Sequence, residues 1–222
     1  MRNLKLSNRK IQISCDGGAA TGKSTGAKII SKKYNLKFLS SGLLYRYASL
    51  LILKYNPKNK ISFLELKFKN LDYKKLNKMN LHSQEISKLS AIIAKNNKIR
   101  QILKKFQINF SKKNKSCCIE GRDISTKILP KSNLKFFFKC SLNIAAKRRY
   151  KELKKIDVKI KLFEVKKALR MRNMSDIKRK NSPLLKHRDS VEIDTGKLDK
   201  QAMVDKMSKY VEKFLNKKKY GN

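Results

Sequence analysis

Ile11-Gln12-Ile13-Ser14-Cys15-Asp16-Gly17-Gly18-Ala19-Ala20-Thr21-Gly22-Lys23-Ser24-Thr25 is the stretch that decides the fold. It opens on a short apolar run, Ile11 to Cys15, which reads as a buried strand. Thr25 to Lys33 follows, with Ala27, Ile29 and Ile30 at helical spacing. Between the two, Gly17 to Ser24 spells GxxxxGKS. The letters gain their meaning from the order strand, glycine-bounded loop, helix.

Such a loop is built to cradle phosphate. Gly17 and Gly22 permit backbone conformations that a Cβ would penalise, so successive N–H groups can turn toward one anion. The helix that starts near Lys23 adds the positive end of its dipole. Lys23 supplies a mobile ammonium for β- and γ-phosphates, and Ser24 offers a hydroxyl to Mg²⁺. Gly17, Gly18, Ala19, Ala20, Thr21, Gly22, Lys23, Ser24 and Thr25 are therefore the candidate nucleotide-binding residues, with Ser24 the one facing the metal. A glycine-rich turn without a ligand is the alternative, and the strand and helix flanks weigh against it.

Working outward, further strands are expected at Lys37–Leu39, Ser116–Glu120, Leu134–Phe138 and Val191–Asp194, with helical patterns between them. Continuous apolar strands separated by helices predict a parallel α/β sheet buried on both faces. Ligands of such sheets collect at the carboxyl ends of the strands. Ser40-Ser41-Gly42 and Gly121-Arg122-Asp123 each follow a predicted strand, as the phosphate loop does, so three polar segments are expected to converge on one cleft. Residues 54–85 are polar with scattered apolar positions. Residues 147–180 are strongly basic and read as helical, with Leu153, Ile156, Ile160, Phe163 and Leu169 as the apolar side. Lys217 to Asn222 reads as a frayed tail.

The length of 222 residues predicts one domain with small appendages, and a 40% hydrophobic content is enough for a core. No apolar run approaches the roughly 20 residues of a membrane span. Met1 to Lys10 is basic without a long apolar stretch behind it, which argues against a secretory signal and makes the cytoplasm the expected compartment. The net charge of +41 would draw polyanions at low salt. The lysines are spread along the whole chain, however, alongside abundant Asn and Ile, which share A/T-rich codons. A solvated basic surface is the preferred reading over a dedicated nucleic-acid site. Cys15, Cys117, Cys118 and Cys140 show no CxxC spacing and read as reduced thiols, mostly in the core.

A GTPase would carry DxxG and NKxD elements, and a large ATPase more chain with a clear hhhhDE strand; neither pattern is present. What the chain offers is arginine at predicted ligand-facing positions: Arg46, Arg100, Arg122, Arg172 and Arg179. Arginine forks grip phosphate bidentately, which suits an enzyme that holds two phosphorylated substrates in line.

With these residues in view, the chain resembles the bacterial cytidylate kinases, within the nucleoside monophosphate kinase group. Asp16-Gly17 through Gly22-Lys23-Ser24-Thr25 is similar to that family's DGpxGxGKST, and Ser41-Gly42-Leu43-Leu44-Tyr45-Arg46 to its SGxxYR. Gly121-Arg122-Asp123-Ile124-Ser125-Thr126 resembles GRDxGT. Ala145-Ala146-Lys147-Arg148-Arg149 resembles the helix entering the lid. Arg172 to Arg179 with Ser182-Pro183-Leu184 resembles RDxxDxxR…PL, and Val191 to Thr195 fits the last strand. The match runs in order over roughly residues 10–215.

The resemblance implies a P-loop NTPase fold: a five-stranded parallel sheet flanked by helices, a short acceptor-binding insert at 54–90 and a helical lid at 147–180. It implies transfer of the γ-phosphoryl group of ATP to CMP or dCMP, with Mg²⁺, by a monomer. Lys23, Arg122, Arg148, Arg149 and Arg179 would act on the phosphates. Arg46, Arg122 and Arg179 would hold the acceptor's phosphate. Ser90, Arg100 and Asp123 would read cytosine, and Arg172 and Asp176 would touch the sugar, with Ser41 and Tyr45 also at the acceptor.

The chemistry of cytosine suits these residues. Its N4 amino group is matched by the Asp123 carboxylate, and its N3 and O2 by Arg100 and a hydroxyl. Uracil would set a carbonyl against Asp123. Alternatives stay open: Asp123 pairing with Arg122 or a Mg²⁺-bound water, Arg148 and Arg149 as a solvated face, and Ser90 as helix surface. The chain departs from the family's pattern at Ser40 (usually Asp), Gly18 (usually Pro) and Asn173 (usually Asp). There is also little room between Leu53 and Ser90 for a small extra sheet. Two rival readings are a kinase for UMP, AMP or a shikimate-like acceptor, and a basic nucleic-acid-binding protein with a vestigial loop.

Overall fold

A computed structural model describes residues 10–155 and 157–216; the predicted tail at 217–222 and Ile156 lie outside the described residues. The elements run β1 (Gln12–Gly17), α1 (Lys23–Lys33), β2 (Lys37–Ser40), α2 (Ser41–Tyr55), α3 (Lys60–Lys69), a 3₁₀ turn (Tyr73–Lys78), α4 (Gln84–Ile93) and α5 (Asn97–Lys113). They continue with β3 (Cys117–Gly121), a π-helical turn (Ile124–Ile128), β4 (Leu134–Lys139), α6 (Leu142–Lys154), α7 (Leu162–Lys178), β5 (Val191–Asp194) and α8 (Lys200–Asn216).

The five strands form one sheet in the order β2-β3-β1-β4-β5. Cys15 stands opposite Glu120 and Phe136, and Phe138 opposite Ile193, all in parallel pairings. Each predicted strand is present within two residues of its expected limits. The pleat of β1 sorts its side chains. Ile11, Ile13 and Cys15 face a core that includes Ala27 and Ile30 of α1, Phe136 and Phe138 of β4, and Met203, Met207 and Val211 of α8. Ser14 and Asp16, between them, face polar partners: Ser14 Oγ lies 2.9 Å from Ser132 Oγ. Phe136, Phe138, Ile13 and Ile30 are fully buried, and each such side chain contributes about 1.5–3 kcal/mol. Cys15, Cys117 and Cys118 are free and fully buried. Burial raises the Cys15 thiol well above its ordinary value and that of Cys117 to about 12.

The chain divides into two compact units: residues up to Phe38 together with those from Lys115 onward, and Leu39–Asn114. The first holds β1, β3, β4 and β5 with α1, α6, α7 and α8. The second is built from α2, α3, α4 and α5. In it the polar stretch at 54–85 becomes helical through side-chain caps, Asn59 on Ile61 and Ser62, and Ser83 on Ile86. Its scattered apolar residues, Leu64, Phe68, Leu76 and Leu81, are the buried ones. Phe68 meets Tyr47 and Phe106 edge-on at 5.8 and 5.9 Å.

The basic stretch at 147–180 is two helices, α6 and α7, joined by a short connection. Leu153, Ile160 and Leu169 pack with Ala145, Ala146 and Val165, as the helical pattern predicts. Phe163 does not join them; it is 73% exposed. A helix begins only at Leu162, and its buried face is set by Val165 and Leu169 at i and i+4. Phe163, two residues before Val165, points to the far side. Among the described residues no helix is long and apolar enough to cross a membrane.

Candidate active site

Gly17 ends β1 and starts the phosphate loop with φ +153°, and a Cβ there would run into the carbonyl oxygen of Phe138 on the neighbouring strand. Gly22, at φ +77°, turns the chain into α1, whose N-terminus carries no side-chain cap. The N–H groups of the first turn, together with the half-charge of the helix dipole, therefore face the space beside the loop. Thr21 braces the loop from within, its Oγ1 donating to Gly18 O at 3.0 Å. Thr195, just past β5, donates its Oγ1 to Thr21 O at 2.9 Å. Asn173 Oδ1 accepts from Ala19 N at 3.1 Å. Ser24 and Thr25 open α1 with exposed side chains.

Lys23 is buried, and its Nζ lies 2.6 Å from Glu120 Oε2 at the end of β3. Burial lowers the Lys23 ammonium below its ordinary value; the Glu120 charge pulls it back up, and Arg122 pushes it down again. The arrangement holds a cation at the mouth of the loop with its carboxylate partner fixed by the sheet. Glu120 did not emerge from the sequence as a site residue. The signal was present in Cys117-Cys118-Ile119-Glu120-Gly121: an apolar strand that ends on a carboxylate beside the glycine of a polar segment.

Asp16 performs the same kind of work one strand away. It is fully buried and accepts from Ile124 N at 2.8 Å, Ser125 N at 2.7 Å and Ser125 Oγ at 2.6 Å. Burial raises its carboxyl above the ordinary aspartate value, and the three donors counter part of that. The segment carrying Arg122 and Asp123 is thereby fastened to the strand that carries the phosphate loop.

On that segment the predicted residues meet. Arg122 Nε lies 2.8 Å from Asp176 Oδ2, Arg179 Nη1 3.4 Å from Asp176 Oδ1, and Arg179 Nη2 3.7 Å from Asp123 Oδ1. Arg179 Nε donates to Ser182 O. Asp176 shows how the charges balance. Burial alone would raise its carboxyl, but Arg122, Arg172 and Arg179 together outweigh that and hold it below the ordinary range. Two forks aligned by two carboxylates form a ready clamp for a phosphate.

Arg148 and Arg149, neighbours on α6, have different surroundings. Arg148 donates to Thr195 Oγ1 at 2.8 Å and Thr195 O at 2.7 Å, and its Nη1 is within 3.8 Å of where a Cβ on Gly22 would sit. Arg149 pairs with the exposed Glu152 at 2.9 Å along the same helix.

The second unit holds the remaining predicted residues. Arg46 Nη1 donates to Leu81 O at 2.8 Å and to Ser87 Oγ at 2.9 Å. Arg100 is buried, donates to Ala94 O at 3.1 Å and lies 5.8 Å over the Tyr45 ring. Ser90 is buried at 4% exposure, its Oγ bonded to Ser87 O within α4, and Ser41 is buried at the start of α2. Ser40 caps α2 by accepting from Leu43 N at 3.4 Å, a task that a hydroxyl and a carboxylate share. Ser87, the partner of Arg46, was missed in the sequence, although it lies one turn before Ser90 on the same face.

The donor set fits a nucleoside triphosphate: capless helix N-terminus, buried ammonium and adjacent arginine. Mg²⁺ would have the Ser24 hydroxyl on the protein side.

Comparison with known proteins gives the same direction. The family model described as cytidylate kinase matches residues 13–213. The chain is similar to a cytidylate kinase of Bartonella tribocorum, 36% identical over 195 residues, covering 86% of this chain and 89% of the relative. It is 34% identical to the cytidylate kinase of Mesomycoplasma hyopneumoniae, covering 91% and 94%. Among solved structures, a shikimate kinase from Bacteroides thetaiotaomicron has the same fold, with a TM-score of 0.51 at 11% identity over 92% of this chain and 99% of that one. A phosphate loop on a five-stranded parallel sheet, with a family match across nearly the whole length, means that this chain belongs to the cytidylate kinase family.

Proposed function

We propose that the protein transfers the γ-phosphoryl group of ATP to CMP or dCMP, giving ADP and CDP or dCDP. The observation that carries this reading is the pairing, within one unit, of two built features. One is the loop with the buried Lys23, and the other is the Arg122–Asp176–Arg179–Asp123 cluster. Asp16 fastens the segment bearing Arg122 and Asp123 to the strand bearing the loop.

Gly17 to Thr25 hold the donor's phosphates, and Lys23 neutralises the β- and γ-oxygens. Arg122 and Arg179 hold the acceptor's phosphate, Arg172 and Asp176 meet its sugar, and Asp123 takes the cytosine amino group. By the family resemblance, Arg46 also holds the acceptor's phosphate, Ser90 and Arg100 read cytosine, and Ser41 and Tyr45 bind the acceptor. The acceptor oxygen is already ionised, so the protein needs no strong general base; alignment and charge neutralisation carry the rate. Mg²⁺, held through Ser24, supplies further neutralisation of the phosphates when bound. Arg148 reaches the phosphates from α6, and Arg149 joins it on movement of the 147–180 lid. Residues 54–90 act as the acceptor insert. The enzyme works as a monomer in the cytoplasm. Coupled measurement of ADP release with ATP and CMP tests the reading: wild type turns over, and Lys23→Met does not. CDP formation by that variant at a near-normal rate would overturn it.

A further inference from the structure

Asn173 lies outside every role given above, yet it touches the phosphate loop. It sits on α7, half-buried, and its Oδ1 receives the Ala19 N–H at 3.1 Å. Asn173 lies close beside Gly18: a Cβ built on Gly18 would meet its Oδ1 at 3.4 Å and its Cγ at 3.6 Å, ordinary van der Waals contact. Gly18 and Asn173 are two of the positions at which the chain departs from its family's pattern, and Asn173 bonds to the residue next to Gly18.

The loop at this point needs fastening. Ala20, the next residue, holds φ +56°, a left-handed conformation that costs a side-chain-bearing residue about 1–2 kcal/mol. Such a conformation persists only where its surroundings over-determine it. The constraints are visible on both sides: Thr21 on Gly18 O, Thr195 on Thr21 O, and Asn173 on Ala19 N. Asn173 is the constraint that comes from α7. Three residues further on, the same helix carries Asp176, which is paired with Arg122 and Arg179. Positions i and i+3 share a helix face, so α7 presents both contacts as one rigid piece.

We propose that Asn173 is a positioning residue that latches the phosphate loop to α7, fixing the loop's distance from the Asp176 cluster. The role requires an acceptor at Oδ1 and nothing else of the side chain. Aspartate can therefore replace it, whereas alanine cannot. The inference rests on the proposed kinase reading for its consequence, but its structural core does not depend on which acceptor is used.

Amide hydrogen exchange of the ligand-free protein tests the latch directly. Asn173→Ala should speed exchange in the peptide spanning 17–22 about tenfold, the loss of roughly one hydrogen bond, with Asn173→Asp close to wild type. The β1 amides at 12–15 should not change in either variant. ATP titration should follow, with affinity about tenfold weaker for Asn173→Ala and within about threefold of wild type for Asn173→Asp. Unchanged loop exchange in Asn173→Ala would overturn the proposal, as would an Asn173→Asp protein as loose as the alanine variant. A wild type that binds ATP but leaves CMP untouched would remove the kinase reading alone, and the exchange data would still decide the latch.

Discussion

Removing the Lys23 ammonium should cost stability as well as activity, because the structure gives that charge a buried partner. In Lys23→Met the Glu120 carboxylate, with a 4% exposed side chain, loses the cation at 2.6 Å. The folded protein can relieve this by taking up a proton on Glu120. An ordinary glutamate titrates near about 4.3, so holding it protonated at about pH 7 costs ~1.36 kcal/mol for each of about 2.7 units, or ~3.7 kcal/mol. That agrees with the roughly 3–5 kcal/mol seen when one partner of a buried pair is removed. The sign follows from linkage. In the variant the folded pKa of Glu120 lies above the unfolded one, so the native state binds the extra proton and the penalty grows as pH rises. It should shrink by about 1.4 kcal/mol per unit on acidification and vanish near pH ~4.3. Urea or thermal unfolding followed by circular dichroism at about pH 5 and about pH 7 measures it, with a fall in Tm of roughly 10 °C at the higher pH. Lys23→Met/Glu120→Gln should recover most of the stability, show little pH dependence and remain inactive. A single variant as stable as wild type at both pH values, or a double variant no better than the single, would refute the argument.

The same geometry sets the outcome for four further variants. Gly17→Ala forces a Cβ against Phe138 O and should lose about 1–3 kcal/mol in urea unfolding, with nucleotide affinity falling in parallel. Asp176 is held below the ordinary aspartate value, so its contribution is complete above about pH 3.9 and is lost as pH falls through the lower folded value. Asp176→Asn should therefore be less stable than wild type at neutral pH and show a shallower acid limb in a pH series of unfolding curves. Arg148→Ala should lower kcat about 100-fold, the size expected for one charged donor at developing phosphate charge. Arg149→Ala, which removes the arginine that joins on lid movement, should lower kcat about tenfold in the same assay with little change in stability, because its pair with Glu152 is exposed.

The sheet was legible because its signals are local. Each strand carries a short run of apolar or alternating apolar residues, and Gly17 and Gly22 bracket the loop at positions where the backbone itself demands glycine. The arginines were legible as residue types with a chemistry, and their order along the chain carried the resemblance. The partners were not legible. Lys23 meets Glu120 across 97 positions, Asp16 meets Ser125 across 109, and Ala19 meets Asn173 across 154. No periodicity encodes such pairings; they exist only once β1, β3 and α7 are brought together. Phe163 shows the opposite failure. Its apolar character and spacing suggested a buried face, but the break before α7 resets the helical phase. In the second unit, the caps on Asn59 and Ser83 turned a stretch that looks polar into helices that bury Leu64, Phe68, Ile86 and Ile93 while Leu66 and Ile92 stay exposed.

The central claim, phosphoryl transfer to a cytosine nucleotide, is met most directly by one measurement. ADP release is followed with ATP as donor and CMP, dCMP, UMP, AMP or shikimate as acceptor, at equal concentration. The account predicts rapid turnover with CMP or dCMP, and turnover at least about tenfold slower with UMP, where a carbonyl faces the Asp123 carboxylate. AMP and shikimate should give no more than the rate without acceptor. Preference for UMP, AMP or shikimate over both cytosine nucleotides would contradict it.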